Sequence, residues 1–129
     1  MELKEKIDYW LDVAWYDMET ASAMQKAGRF LYTIFMCQQG LEKILKAIYL
    51  QRFAKEAPPS HNLVYLVGLL DIKPKDSFLK LMAELTSYYI EGRYPTYKQR
   101  LSVLVDSKKA SKILKEGMEV YKWLQSLLK

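Results

Sequence analysis

The chain is poor in the residues that bind metals and form covalent intermediates: its 129 residues include one cysteine and one histidine. Zinc sites built from Cys and His clusters, and Cys–His nucleophilic pairs, therefore lack their parts, and there is no glycine-rich loop to cradle a phosphate. No metal and no cofactor are expected. A lone cysteine cannot close an intrachain disulfide, and Cys37 falls on an apolar stripe, where it is expected as a small buried hydrophobe. No run of about 18 apolar residues suggests a membrane span. The charged start (Glu2, Lys4, Glu5, Lys6, Asp8) also lacks the layout of a secretory signal. The expectation is a cytoplasmic protein without membrane contact. Internal repeats, low-complexity tracts and useful strand-like alternation are missing too, which leaves helices as the regular element.

Apolar and aromatic surface is abundant. Half of the residues are hydrophobic and 13% are aromatic, enough to exclude a disordered chain and to support one domain over residues 1–129 with its own core. The net charge of +5 is unevenly spread. Residues 1–29 carry six acids against four bases, whereas Arg93 to Lys115 holds seven bases against Asp106 alone. Such a basic cluster attracts phosphates or nucleic acid, and it serves equally as a solvated helix face.

The stretch Phe30–Phe53 organises the rest. At about 100° per residue, Ile34, Cys37, Leu41, Ile44 and Ile48 share one stripe, widened by Leu31, Phe35, Leu45 and Tyr49. A helix apolar around most of its circumference needs neighbours on several sides, so it is expected as the central post of a bundle. A first helix, Leu3 to Lys26, should pack antiparallel to it across a stop at Gly28. Pro58 and Pro59 bar continuation of the post, and Ser60 is expected to cap a third helix over His61–Leu70. Asp76 should cap a fourth over Ser77–Ile90. The segment Glu91–Asp106, with Gly92 and Pro95, shows no clean period and is expected to be irregular. A last helix, capped by Asp106 or Ser107, should run to about Leu128. The fold expected is all-α, an up-and-down bundle of about five helices.

Two residues break the apolar arc of the post, Gln38 and Glu42, one turn apart. A buried amide and carboxylate must find partners, since either left alone costs several kcal/mol by order of magnitude. Arg93 lies in the basic segment with Tyr94 and Tyr97 close by. A guanidinium offers a planar fork to phosphate, and aromatic rings can stack on a base. Arg93 is therefore a candidate phosphate clamp, oriented by Glu42 and Gln38, with Lys43 or Lys46 adding positive potential. His61, just after the prolines, is a weak candidate for acid–base chemistry and otherwise orders a helix start.

The run Gln38-Gln39-Gly40-Leu41-Glu42-Lys43-Ile44-Leu45-Lys46-Ala47, followed by His61-Asn62-Leu63 with Leu66, then by Tyr89 and Arg93-Tyr94-Pro95, and by a late Trp123, resembles the prokaryotic HEPN domain. The resemblance covers nearly the whole chain. It implies a five-helix bundle, commonly a homodimer, often paired with a minimal nucleotidyltransferase in a toxin–antitoxin or substrate-binding role. Many such domains are metal-independent ribonucleases that use an arginine followed after four to six residues by a histidine. This chain departs from that pattern: eight residues separate Arg52 from His61, and no histidine follows Arg93. The expectation is a module that binds a nucleotide or RNA phosphate without strong catalysis. The alternatives are an endoribonuclease with a shared dimer cleft, and a plain dimerisation module.

Overall fold

The computed structural model describes residues 1–129 and contains six helices: α1 (Leu3–Lys26), α2 (Phe30–Phe53), α3 (Leu63–Gly68), α4 (Asp76–Glu91), α5 (Pro95–Leu104) and α6 (Ser107–Ser126). The first two have the bounds that periodicity predicts. Gly28 takes a φ of 76° in the turn between them, a left-handed conformation that glycine adopts without a Cβ clash. α2 packs against every other helix, as its all-round apolarity requires. Its Ile34, Cys37, Leu41, Ile44 and Ile48 are fully buried. Around it gather Ala14, Met18 and Ala21 of α1, Met82 and Leu85 of α4, and Ile113, Val120 and Leu124 of α6, all in one apolar cluster.

Two helix starts, those of α3 and α4, differ from expectation, and the end of α2 falls where expected for a different reason. α2 stops at Phe53 because Ala54, at φ 54°, turns left-handed and donates its N–H to the Leu50 carbonyl, so the prolines act only later. α3 begins at Leu63, since Asn62 and not Ser60 supplies the cap: Asn62 Oδ1 accepts from the Tyr65 N–H at 3.1 Å. Asp76 lies in the first turn of α4, where its charge suits the helix dipole, and Lys75 holds the cap position. At α6, Asp106 is the cap, its Oδ1 accepting from the Lys109 N–H at 2.8 Å.

The larger correction is a sixth helix. Residues 91–106 are not irregular, because Gly92 and Pro95 bracket a short connection and do not break the whole segment. Pro95 stands at the start of α5, where its missing N–H costs nothing. α5 escapes a periodicity test because Leu101 is its one buried residue. α3 is tied to α4 by the Leu63 N–H, which donates to Thr86 Oγ1 at 3.1 Å. That link holds the α2–α3 connection, and with it His61, against the bundle.

Candidate functional site

Gln38 and Glu42 are buried on α2, and the apolar surroundings make their partners obligatory. Glu42 Oε1 lies 2.8 Å from His61 Nδ1 and accepts from Gln38 Nε2 at 3.2 Å. Its Oε2 accepts from Lys46 Nζ at 2.9 Å. Gln38 Nε2 also donates to the His61 carbonyl at 2.8 Å, and Gln38 Oε1 accepts from Gln39 Nε2 at 2.9 Å. The α2 residues thus grip His61 by both its ring and its backbone.

A carboxylate can only accept, so the contact assigns the proton to Nδ1 and leaves Nε2 as the working nitrogen of the neutral ring. The His61 side chain is 42% exposed against 5% for Glu42. A solvent-reachable imidazole on a buried carboxylate is the arrangement that holds a histidine in one tautomer and one orientation. One face of the ring meets Tyr89 of α4, with centroids 5.2 Å apart. The Arg93 guanidinium lies 6.0 Å from the centroid of that same Tyr89 ring. Arg93, Tyr89 and His61 therefore form a band across the α2–α4 face.

The site residues expected from sequence divide into groups. Gln38, Glu42, Lys46 and His61 come together in one network. Arg93 is not oriented by Glu42 or Gln38; it is exposed, makes no ion pair, and reaches the network only through Tyr89. Lys43 and Lys46 are not free cations: Lys43 Nζ donates to buried Asp17 of α1, and Lys46 Nζ to Glu42, with the Trp10 ring 5.9 Å away. Tyr94 and Tyr97 stand at the start of α5, edge to face at 5.9 Å, with the Arg100 guanidinium 5.8 Å from the Tyr97 ring. They are exposed and lie outside the network.

Sequence reasoning missed Asp17 and the bridging part of Tyr89. Asp17 was findable, because it sits between Ala14, Met18 and Ala21 as Glu42 sits among the apolar residues of α2. Gly92 explains how Tyr89 is placed. A Cβ there would overlap the Phe35 ring, so the end of α4 presses directly on α2, and Phe35 meets Tyr89 at 6.0 Å. No group of three or more His, Cys, Asp or Glu side chains is arranged to hold a metal ion. No helix is long and apolar enough to cross a membrane.

Fold and site together define an all-helical bundle whose central helix carries both the core and a buried polar network. The sequence matches the HEPN domain family over residues 7–127, and the chain belongs to that family. Solved structures share the fold. A protein of Thermus thermophilus superposes with a TM-score of 0.82 at 21% identity, covering 95% of this chain and 98% of that one. An archaeal HEPN homologue gives 0.74 at 20% identity, over 95% and 98% of the two chains. An HEPN domain protein of Thermotoga maritima gives 0.70 at 20% identity, over 92% and 96%. No curated protein sequence matches the chain.

Proposed function

We propose that the chain is an HEPN-type module that binds the phosphate of a nucleotide or RNA, with Arg93 and His61 as its two contacts. The observation that carries this reading is the histidine fixed by buried Glu42 one aromatic ring away from an arginine that has no acid partner. Arg93 forks onto phosphate oxygens, His61 Nε2 meets a second oxygen or hydroxyl, and exposed Tyr94 or Tyr97 offers a face to a base. Glu42 and Gln38 act as positioning residues for His61. Lys43 and Lys46, each neutralised by an acid, drop out as direct ligands. The module acts as a homodimer alongside a minimal nucleotidyltransferase in a toxin–antitoxin or substrate-binding pair. Support for the assembly is the exposure of four large apolar or aromatic side chains, Ile90, Tyr94, Val103 and Leu104, between the end of α4 and the end of α5.

Calorimetric titration of ATP, GTP and a short single-stranded RNA tests the site. Wild type should bind at least one of these, and Arg93→Ala and His61→Ala should each weaken it roughly tenfold, the worth of one charge-assisted hydrogen bond. Equal heats in all three proteins would remove the band from the role. Light scattering tests the assembly, and a monomer at high concentration would refute the homodimer.

The same carboxylate–imidazole pair favours a second reading, a metal-independent endoribonuclease. There His61 Nε2 takes the proton of a ribose 2′-hydroxyl as its oxygen attacks the adjacent phosphorus, Arg93 stabilises the negative phosphorane, and the P–O5′ bond then breaks to leave a 2′,3′-cyclic phosphate and a 5′-oxygen that takes its proton from water. RNA cleavage in EDTA that disappears in His61→Ala selects this reading, and intact RNA discards it.

A further inference from the structure

From Glu5 to Glu19, every exposed residue of α1 is acidic or aromatic: Glu5, Asp8, Tyr9, Asp12, Trp15, Tyr16 and Glu19. At about 100° per residue they fall within an arc of roughly 120°, on the side of the helix opposite buried Ala14 and Ala21. The one base within that span, Lys6, reaches another part of the chain, its Nζ lying 3.9 Å from Glu56 Oε1. The stripe thus runs against the +5 charge of the whole chain. Of its four acids only Asp8 has an ionic partner, Lys4 at 3.7 Å, and both of those side chains lie largely in water. Tyr9, Trp15 and Tyr16 are 56%, 45% and 69% exposed, so rings and carboxylates interleave on one solvent-facing strip. Along one edge of the strip a groove of about 480 Å³ opens between α1 and α6. Asp8, Asp12, Leu11 and Trp15 line it from α1, and Tyr121 and Lys122 line it from α6. The Trp15 and Tyr121 rings meet there, with centroids 5.5 Å apart. Tyr121 is only 3% exposed, yet its hydroxyl takes part in no hydrogen bond of the chain. A phenol so deeply set is satisfied only from outside the chain.

We infer that this face of α1 docks a basic, amphipathic helical segment of another protein, with arginine or lysine on the stripe and an apolar side chain in the groove. Charge complementarity argues for that occupant: carboxylates without a strong internal partner repel nucleic acid and anionic lipid and attract cations. The rings narrow the choice. A guanidinium or ammonium set over Tyr9 or Tyr16 gains from the π face, while a neighbouring carboxylate accepts its N–H bonds. Acids alone would serve any cation, whereas interleaved aromatics favour cations carried on aliphatic stems. The spacing suits a helix. The stripe recurs every three or four residues over about 21 Å, the length of a partner helix of about 14 residues with anchors at i, i+3, i+4 and i+7. Lys122 keeps the partner's cations out of the groove, so its apolar anchors enter there, and the Tyr121 hydroxyl bonds to a polar group that arrives with them. The face shares no residue with the Arg93–His61 band and stands whether or not that band binds phosphate.

Fluorescence anisotropy tests the assignment with a labelled peptide of about 14 residues, its arginines and leucines set at helical spacing, and a control peptide with glutamate in place of arginine. The basic peptide should bind with one site per chain, and the acidic one at least roughly tenfold more weakly. Asp12→Lys combined with Glu19→Lys should weaken the basic peptide by roughly tenfold or more. Asp71→Lys combined with Glu119→Lys, the same change of net charge at exposed positions off the stripe, should alter it by less than about twofold. Tyr9→Ser combined with Tyr16→Ser should also weaken it roughly tenfold, with helical circular dichroism unchanged in all three variants. Absence of binding to wild type overturns the assignment, as do equal binding of the two peptides, equal effects of the two charge reversals, or indifference to loss of the tyrosines. Self-association in light scattering that disappears in Asp12→Lys with Glu19→Lys, without binding of the basic peptide, would give the face to a second copy of this chain. Arg93→Ala and His61→Ala should leave peptide binding unchanged, and loss of binding in either would move the peptide to that band.

Discussion

Glu42 is the residue on which most of the buried polar surface converges, and its removal separates folding from ligand contact. Glu42→Ala leaves the largely buried Lys46 ammonium without its carboxylate and removes the acceptor of the His61 ring and of one Gln38 hydrogen bond, so it should cost about 3–5 kcal/mol in urea denaturation. His61→Ala leaves Glu42 satisfied by Gln38 and Lys46 and should cost only about 1–2 kcal/mol, while removing the ring from the phosphate site. Equal losses of stability would show that the carboxylate depends chiefly on the histidine. Glu42 and Gln38 were legible in the sequence because two polar side chains interrupt an apolar arc. Their shared partner His61 was not, since it lies 19 positions from Glu42 across a loop and no helical period relates the two. Arg93 was legible as a residue type but not in its surroundings: a flanking tyrosine, one turn earlier on α4, is its neighbour, and the buried acid is not.

Helix ends and helix stability were read less well than helix existence. The stop of α2 at exposed Ala54 is a left-handed turn without glycine, a conformation that costs a side-chain-bearing residue about 1–2 kcal/mol. Ala54→Gly should therefore raise the urea midpoint by an amount worth about 0.5–1 kcal/mol, and an unchanged or lower midpoint would mean that the turn is not strained. α5 was invisible to periodicity because one inward residue leaves no pattern to detect. The same thin attachment predicts its dynamics. With Val103 and Leu104 largely exposed, α5 should exchange its amides orders of magnitude faster than the interior turns of α2 in the ligand-free protein. Comparable protection would indicate that another chain covers it in solution.

The molecule as a whole should lose stability on the alkaline side. Burial pushes the Cys37 thiol from its ordinary 9.0 up to about 12. The unfolded thiol ionises near 9 and the folded one does not, so this contribution is complete below pH 9 and is lost between pH 9 and about 12. Lys109 moves in the same sense: its hydrogen bond to Glu84 raises the ammonium above 10.5, against a smaller opposing effect of burial, and that support also fades as pH climbs. Urea midpoints should fall from pH 9 upward, and an aromatic disulfide reagent at pH 8 should modify Cys37 only in unfolded protein. Rapid labelling without denaturant would place the thiol at the surface. The all-helical architecture was readable because α1 and α2 together carry long, strongly patterned apolar faces. The sixth helix was not, because it owes its place to neighbours more than to its own residues.

The central post supplies both the oily spine of the bundle and the hands that hold His61, whereas α5 is fastened by a single buried leucine. Warming should therefore loosen the two regions in sequence: α5 frays while the molecule still looks largely intact by circular dichroism, and the histidine grip survives until everything melts at once.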